Sequence, residues 1–293
     1  MEEEHANVPD SGEQDSPSTQ PAITPIRLPE IGDLAHPFSH LEKTTYITYG
    51  LVVIIGLIFL VQMGEQSTGP YLFDVEWRSC YDGTRISHDW AACGAAMVYG
   101  QQFYRMLTSM FLHGSTTHIA FNAIALYSLG LDMERIYGRG RYLFIYFMGG
   151  LFGSLLSFIF RGPSEFSVGA SGAIFAIAGM NLAFFYMYRN KLGDMGEQRF
   201  QSMLRMVGIN LVIGFVLIRI NNYAHIGGLI GGAVLGYLFL PWYTVTQVKP
   251  SLESRDQNSL AAKPGLAVAV VLVFLALTLA TWTMWRYVSP PLA

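Results

Sequence analysis

The chain has 293 residues, 52% of them hydrophobic and only 13% charged, where a soluble domain carries about 25% charged residues. The formal net charge is −3, which excludes a broad basic surface for nucleic acid. Charged residues are missing mainly from runs close to the ~20 residues that a membrane helix needs, so the expected fold class is an all-α polytopic membrane protein.

Residues 1–40 are rich in Pro, Ser, Glu and Gln and are read as a disordered, solvated tail. The acidic start Met1-Glu2-Glu3-Glu4-His5 lacks the basic and early apolar stretches of a secretory signal. Seven spans are predicted, at roughly 45–63, 116–133, 142–160, 171–188, 203–219, 224–241 and 265–286. Residues 41–241 form the six-span core, 242–263 a polar cytoplasmic linker, and 264–293 a seventh span with a short exoplasmic C-terminus. A long loop, about 64–112, follows the first span. It contains Trp77, Trp90, Phe103 and Tyr104, which suit the headgroup region, and both cysteines, Cys80 and Cys93.

Basic residues set orientation. With the N-terminus in the cytoplasm, twelve Lys and Arg residues fall on the inward side and six on the outward side, with inward clusters at 135–141 and 189–205. The long loop is then exoplasmic, an oxidising compartment in which a Cys80–Cys93 disulfide can form; two separate thiols are the alternative.

Polar residues inside spans are functional-site candidates. The second span opens with His118 and Asn122, four residues apart and so on one helix face. The fourth opens with Gly169-Ala170-Ser171-Gly172, and the sixth with Ala224-His225. All three spans run inward, so alternation of direction puts the four polar residues at one depth near the outer face. Small residues at Gly172, Ala176 and Gly179, and at Gly228, Gly232 and Gly236, allow the fourth and sixth spans to approach closely. A serine needs a base within hydrogen-bond reach to become a nucleophile, and His225 is the candidate. The acidic residues lie in the tail, in loops, or at the inner end of the second span (Asp132, Glu134), and none is predicted near the outer end of a span. A Ser–His dyad is therefore expected rather than a triad. Oxyanion donors are expected from His118, Asn122 and the helix N-terminus at Ser171, while His113, just before the second span, is assigned a structural part.

These residues carry a resemblance. Over roughly 45–241 the chain resembles the rhomboid intramembrane serine proteases, through His113…His118-x-x-x-Asn122, Glu134-Arg135-x-x-Gly138, Gly169-Ala170-Ser171-Gly172 and Ala224-His225-x-x-Gly228-x-x-x-Gly232. The resemblance implies Ser171 as nucleophile, His225 as general base, and His118, Asn122 and the Ser171 N–H as oxyanion binders. It also implies supporting parts for Arg105, in a first-loop motif whose tryptophan is here Tyr104, and for Phe175, which stands where the family often has a tyrosine against the histidine. Six core spans plus a seventh resemble the secretase-type arrangement, in a plasma membrane or bacterial inner membrane. The implied substrates are single-pass membrane proteins cut near their outer end, with the bilayer as the other partner and no cofactor or metal. Oligomeric state is left open.

Other classes fit less well. An inactive rhomboid-like binder of membrane proteins would not need both Ser171 and His225. A transporter would carry charges through the bilayer depth. A zinc protease would show His-Glu-x-x-His, and an intramembrane aspartyl protease buried aspartates; neither is found in the spans.

Overall fold

The computed structural model describes residues 45–65, 89–216, 220–241, 243–248, 251–256 and 258–289. In chain order these form α1 (Tyr46–Glu65), β1 (Ala92–Cys93), α2 (Gly94–Gly100), α3 (Arg105–Thr108), α4 (Thr116–Tyr137), α5 (Arg139–Arg161), β2 (Phe166–Ser167), α6 (Ser171–Val216), α7 (Asn222–Leu238), β3 (Tyr243–Val248), β4 (Ser251–Asp256) and α8 (Pro264–Val288). The protein is an all-α helical bundle. Among the described residues, four helices (α1, α5, α6 and α8) are long and apolar enough to cross a membrane. Two of the three helices that carry polar site residues, α4 and α7, do not reach that standard; α7 has 17 residues, and α4 ends in a charged turn with Asp132, Glu134 and Arg135.

The fourth and fifth predicted spans lie within α6. A straight helix of its 46 residues would be about 69 Å long, more than twice the ~30 Å hydrocarbon layer. It is not straight. Gly193 has φ 57 and ψ −146, a backbone state open to glycine, and breaks the helix. Beyond it the chain turns back, because the Phe200 ring lies 5.8 Å from that of Tyr186, where a straight helix would separate them by about 21 Å.

The packing of α5, α6 and α7 depends on glycine. A Cβ on Gly228 would run into the Gly172 carbonyl oxygen, one on Gly232 into the Ala176 carbonyl, and one on Gly179 into the Leu229 carbonyl. From α5, a Cβ on Gly149 would meet the Ala176 methyl, and one on Gly153 would sit 2.6 Å from the Ala224 carbonyl oxygen. With no side chains at these points the backbones come into contact, so many small dispersion terms add up.

Long-range polar contacts fix the helix ends. The buried Glu134 carboxylate, at the end of α4, accepts from Ile47 N (2.9 Å), Thr48 N (2.8 Å) and Thr48 Oγ1 (2.7 Å). It therefore caps the start of α1, where amides lack helical partners and the dipole favours negative charge. Arg135, the next residue of the motif, is exposed. The buried arginine of this region is Arg141, which donates to the carbonyls of Tyr137 and Phe239. Replacing Glu134 with alanine removes acceptors from two buried amides and a hydroxyl. The expected cost is about 3 kcal/mol or more, measured as lowered thermal unfolding in detergent.

Helix α8 buries Val270, Phe274, Thr278 and Thr281 along one face. Its indoles reach two other elements: Trp282 Nε1 donates to Val98 O in α2 (2.9 Å), and Trp285 Nε1 to Phe158 O in α5 (3.1 Å). The predicted polar linker 242–263 contains an antiparallel hairpin, β3 with β4, in which Tyr243 faces Asp256 and Val248 faces Ser251. The strand signal there is the β-branched run from Tyr243 to Val248, which a reading of the segment by polarity alone passes over.

Candidate active site

Three helix N-termini meet at the site. Ser115 caps α4, its hydroxyl accepting from His118 N (3.1 Å). Asn221 caps α7, its side chain accepting from Ala224 N (3.3 Å). Helix α6 starts at Ser171 itself. The loop leading to it is tied to the first loop, since Gly169 N donates to Ser109 O (2.9 Å) and β2 pairs with β1, Ala92 opposite Ser167 and Cys93 opposite Phe166.

Ser171 Oγ and His225 Nε2 are 2.9 Å apart, within hydrogen-bond range. His225 is buried, and Phe175 stacks on its ring with centroids 4.3 Å apart and planes 10° from parallel. His225 Nδ1 has no hydrogen-bond partner. The ring thus meets the serine on one edge and an aromatic ring on its face, and among the described residues no carboxylate is hydrogen-bonded to it.

His118 and Asn122 lie beside the same loop. Gly169 has φ +128, and a Cβ there would sit 2.7 Å from His118 Cε1, 2.8 Å from His118 Nε2 and 3.6 Å from Asn122 Nδ2. Only glycine fits both the backbone angle and the space. Gly114 N donates to His118 Nδ1 (3.5 Å), which leaves the proton of the neutral ring on Nε2, facing the loop. Asn122 Nδ2 is buried and has no hydrogen-bond partner, an unused donor beside Gly169 of the loop that leads to Ser171.

His113 sits apart from the pair. Its ring meets that of His118 edge-on at 5.1 Å, and Gln62 of α1 holds its backbone by two bonds, accepting from His113 N (3.1 Å) and donating to His113 O (3.4 Å). Burial first, and His118 second, lower the His113 pKa to about 3, so the ring is neutral at pH 7. Arg105 is buried in the first loop, where it donates to Gln102 Oε1 (2.6 Å) and Ala91 O (3.2 Å). Tyr104 is exposed and donates to Asp89 O (3.2 Å). Cys93 is not a free thiol, and its Sγ accepts from Ala96 N (3.4 Å); Cys80, its predicted partner, lies outside the described residues.

One expectation from the sequence is overturned. Glu165, an acidic residue, lies buried at this same end of the bundle. No periodic pattern marks it in the sequence, because it lies in a loop, four residues past Arg161 at the end of α5. Its oxygens are occupied by Ser157, Asn221 and Arg161 rather than by His225. Burial raises its pKa, against the opposing pull of those three partners. Asn221 was also missed, although an Asn three residues before Ala224 is a readable cap. Among the described residues, no three His, Cys, Asp or Glu side chains are grouped to hold a metal ion.

Residues 100–242 match the family model described as Rhomboid domain. The YdcA protein of Bacillus subtilis (strain 168) is 31% identical over 137 residues, which cover 47% of this chain and 67% of that protein. The chain belongs to the rhomboid family. Rhomboid protease GluP of the same bacterium is 43% identical over 132 residues, 45% of this chain but only 25% of GluP. Rhomboid-type serine protease 2 of Emericella nidulans is 33% identical over 167 residues, 57% of this chain and 30% of that protein. The match thus spans a quarter to two thirds of these relatives' lengths. The family-model match, residues 100–242, contains Arg105, His113, His118, Asn122, Ser171 and His225.

Stacking supplies the orientation of His225 that a carboxylate would give elsewhere. Phe175→Ala is expected to lower kcat about tenfold, the rate equivalent of one good aromatic pair. Phe175→Tyr should keep most of the rate. Both are read from cleavage of a membrane-embedded substrate.

Proposed function

We propose that the chain is an intramembrane serine endopeptidase that works through a Ser171–His225 dyad. The 2.9 Å approach of Ser171 Oγ to His225 Nε2 carries this reading. His225 Nε2 takes the hydroxyl proton as Oγ attacks the carbonyl carbon of the scissile bond. The oxyanion that forms is met by Asn122 Nδ2, His118 Nε2 and the amide at the start of α6. The tetrahedral intermediate collapses, the imidazolium gives its proton to the leaving amine, and an acyl-enzyme remains on Ser171. Water, deprotonated by His225, then releases the acid and restores the serine.

The substrates are single-pass membrane proteins, cut near the exoplasmic end of their transmembrane segment. A peptide bond inside a helix is shielded and hydrogen-bonded, so the segment must unwind locally before Ser171 can reach it. The distribution of basic residues supports a cytoplasmic N-terminus. A Cys80–Cys93 bridge in the exoplasmic loop accords with that orientation.

A fluorophosphonate probe tests the dyad directly. It should label the parent protein on Ser171 and fail to label His225→Ala, in the presence of a chelator as well as in its absence. Equal labelling of parent and His225→Ala would remove the histidine from the reaction.

A further inference from the structure

Glu165 has no place in the dyad mechanism, yet it is one of the most enclosed charged residues of the molecule, 1% exposed. Its Oε2 accepts from Ser157 Oγ (2.6 Å) and pairs with Arg161 Nε (3.1 Å). Its other oxygen, Oε1, accepts from Asn221 Nδ2 (2.9 Å), which lies 2.7 Å from Ser157 Oγ as well. The Glu165 backbone carbonyl accepts from Gly94 N, the first residue of α2 (2.8 Å). A single residue thereby joins the end of α5, the first-loop helix and the cap of α7.

Asn221 passes the connection on. Its side-chain oxygen caps Ala224 N, and its backbone carbonyl accepts from His225 N (3.3 Å). Along the chain in the other direction, Glu165 leads through β2 and Gly169 to Ser171, six residues away. The nucleophile is thus connected to Glu165 by backbone, and the base by two hydrogen bonds. His225 Nδ1 has no hydrogen-bond partner of its own, so the register of α7 must set where the imidazole lies.

The geometry points to Glu165 as a positioning residue that sets the distance between Ser171 and His225 by holding the Asn221 cap of α7. The inference rests on the dyad reading given above. It assigns Glu165 no contact with substrate and no proton transfer. Buried polar networks of this kind are effective only when every member is satisfied, and loss of one member releases the others.

Four variants of the full-length protein in proteoliposomes test it, with kcat and KM for a fluorogenic single-pass substrate and the rate of fluorophosphonate labelling at Ser171. Glu165→Ala should lower kcat and the labelling rate together by about 10- to 100-fold, the cost of a misplacement near 1 Å. KM should stay within about twofold, because substrate docking is not touched. Glu165→Gln keeps an acceptor for Asn221 and should recover most of the rate. Asn221→Ser keeps a cap oxygen but cannot reach Glu165, so it should behave like Glu165→Ala. The Glu165→Ala/Asn221→Ser double variant should be no slower than the slower single, since both cut one connection.

Parent-like labelling of Glu165→Ala, or fully additive losses in the double variant, overturns the inference. If Glu165→Ala does not fold, parent-like labelling of Asn221→Ser overturns it equally. A parent protein that is never labelled at Ser171 is a different outcome, because it sinks the dyad reading itself.

Discussion

Ser171→Ala abolishes cleavage of a membrane-embedded substrate while the protein remains folded: this is the largest effect expected. Only one oxygen is removed, from a partly exposed side chain that is hydrogen-bonded to His225 Nε2. The close backbone packing next to it, where Gly172 meets Gly228, Ala224 and Gly150, does not involve the hydroxyl. Unfolding temperature should therefore shift little. The rate should fall by about 10,000-fold or more, as it does when the nucleophile of a catalytic unit is lost. His225→Ala should give a loss of similar size, and the double variant should be little worse than either single, because the two act as one unit. Cleavage assayed in proteoliposomes, beside thermal unfolding of the same preparations, separates chemistry from folding. A Ser171→Ala protein that cleaves as fast as its parent would end the serine mechanism.

The second large effect concerns a residue that touches no substrate. Gly228 follows His225 by three residues, and a Cβ there would strike the carbonyl oxygen of Gly172, the neighbour of Ser171. The obstacle is backbone within a helix, so it cannot swing aside as a flexible side chain could. Gly228→Val must push α6 and α7 apart at the point where they hold the dyad. Overpacking of this kind costs about 1–3 kcal/mol, and a displacement near 1 Å at the reacting atoms costs about 100-fold in rate. The variant should thus lose both unfolding temperature and fluorophosphonate labelling. Gly208→Val is the matched control, because nothing lies within 4 Å of a Cβ at Gly208. If Gly228→Val labels at the parent rate, close helix contact is not what sets the Ser171–His225 distance.

The site was partly legible because its signals are local. Ser171, His225, His118 and Asn122 are polar residues at the heads of apolar runs, and a polar residue in such a run is costly enough to stand out. Counting helix directions placed the four at one end, and in the structure the starts of α4, α6 and α7 do converge there. The glycines were legible for the same reason, as small residues spaced by four on one face. Glu165 was not. Its meaning comes from Ser157, Asn221 and Gly94, which reach it from three different elements. Nothing in the sequence around Pro163 and Phe166 distinguishes a buried carboxylate from a solvated loop residue.

Glu134 and Arg141 show the same division. The sequence motif marks Glu134 and Arg135, but the structure buries Glu134 and Arg141 and leaves Arg135 exposed. Glu134 finds its partners 86 and 87 residues away at the start of α1, and Arg141 finds Phe239 98 residues away. By itself the sequence determined where apolar helices form, which faces are small enough to pack closely, and which polar residues share an end of the bundle. All of these follow from periodicity and composition within a single helix. Only the tertiary structure decided which helix termini meet, and therefore which carboxylate caps which helix, which arginine is buried, and how near Ser171 lies to its base. Those outcomes depend on backbone groups that every sequence carries, and they acquire a partner only when the helices assemble.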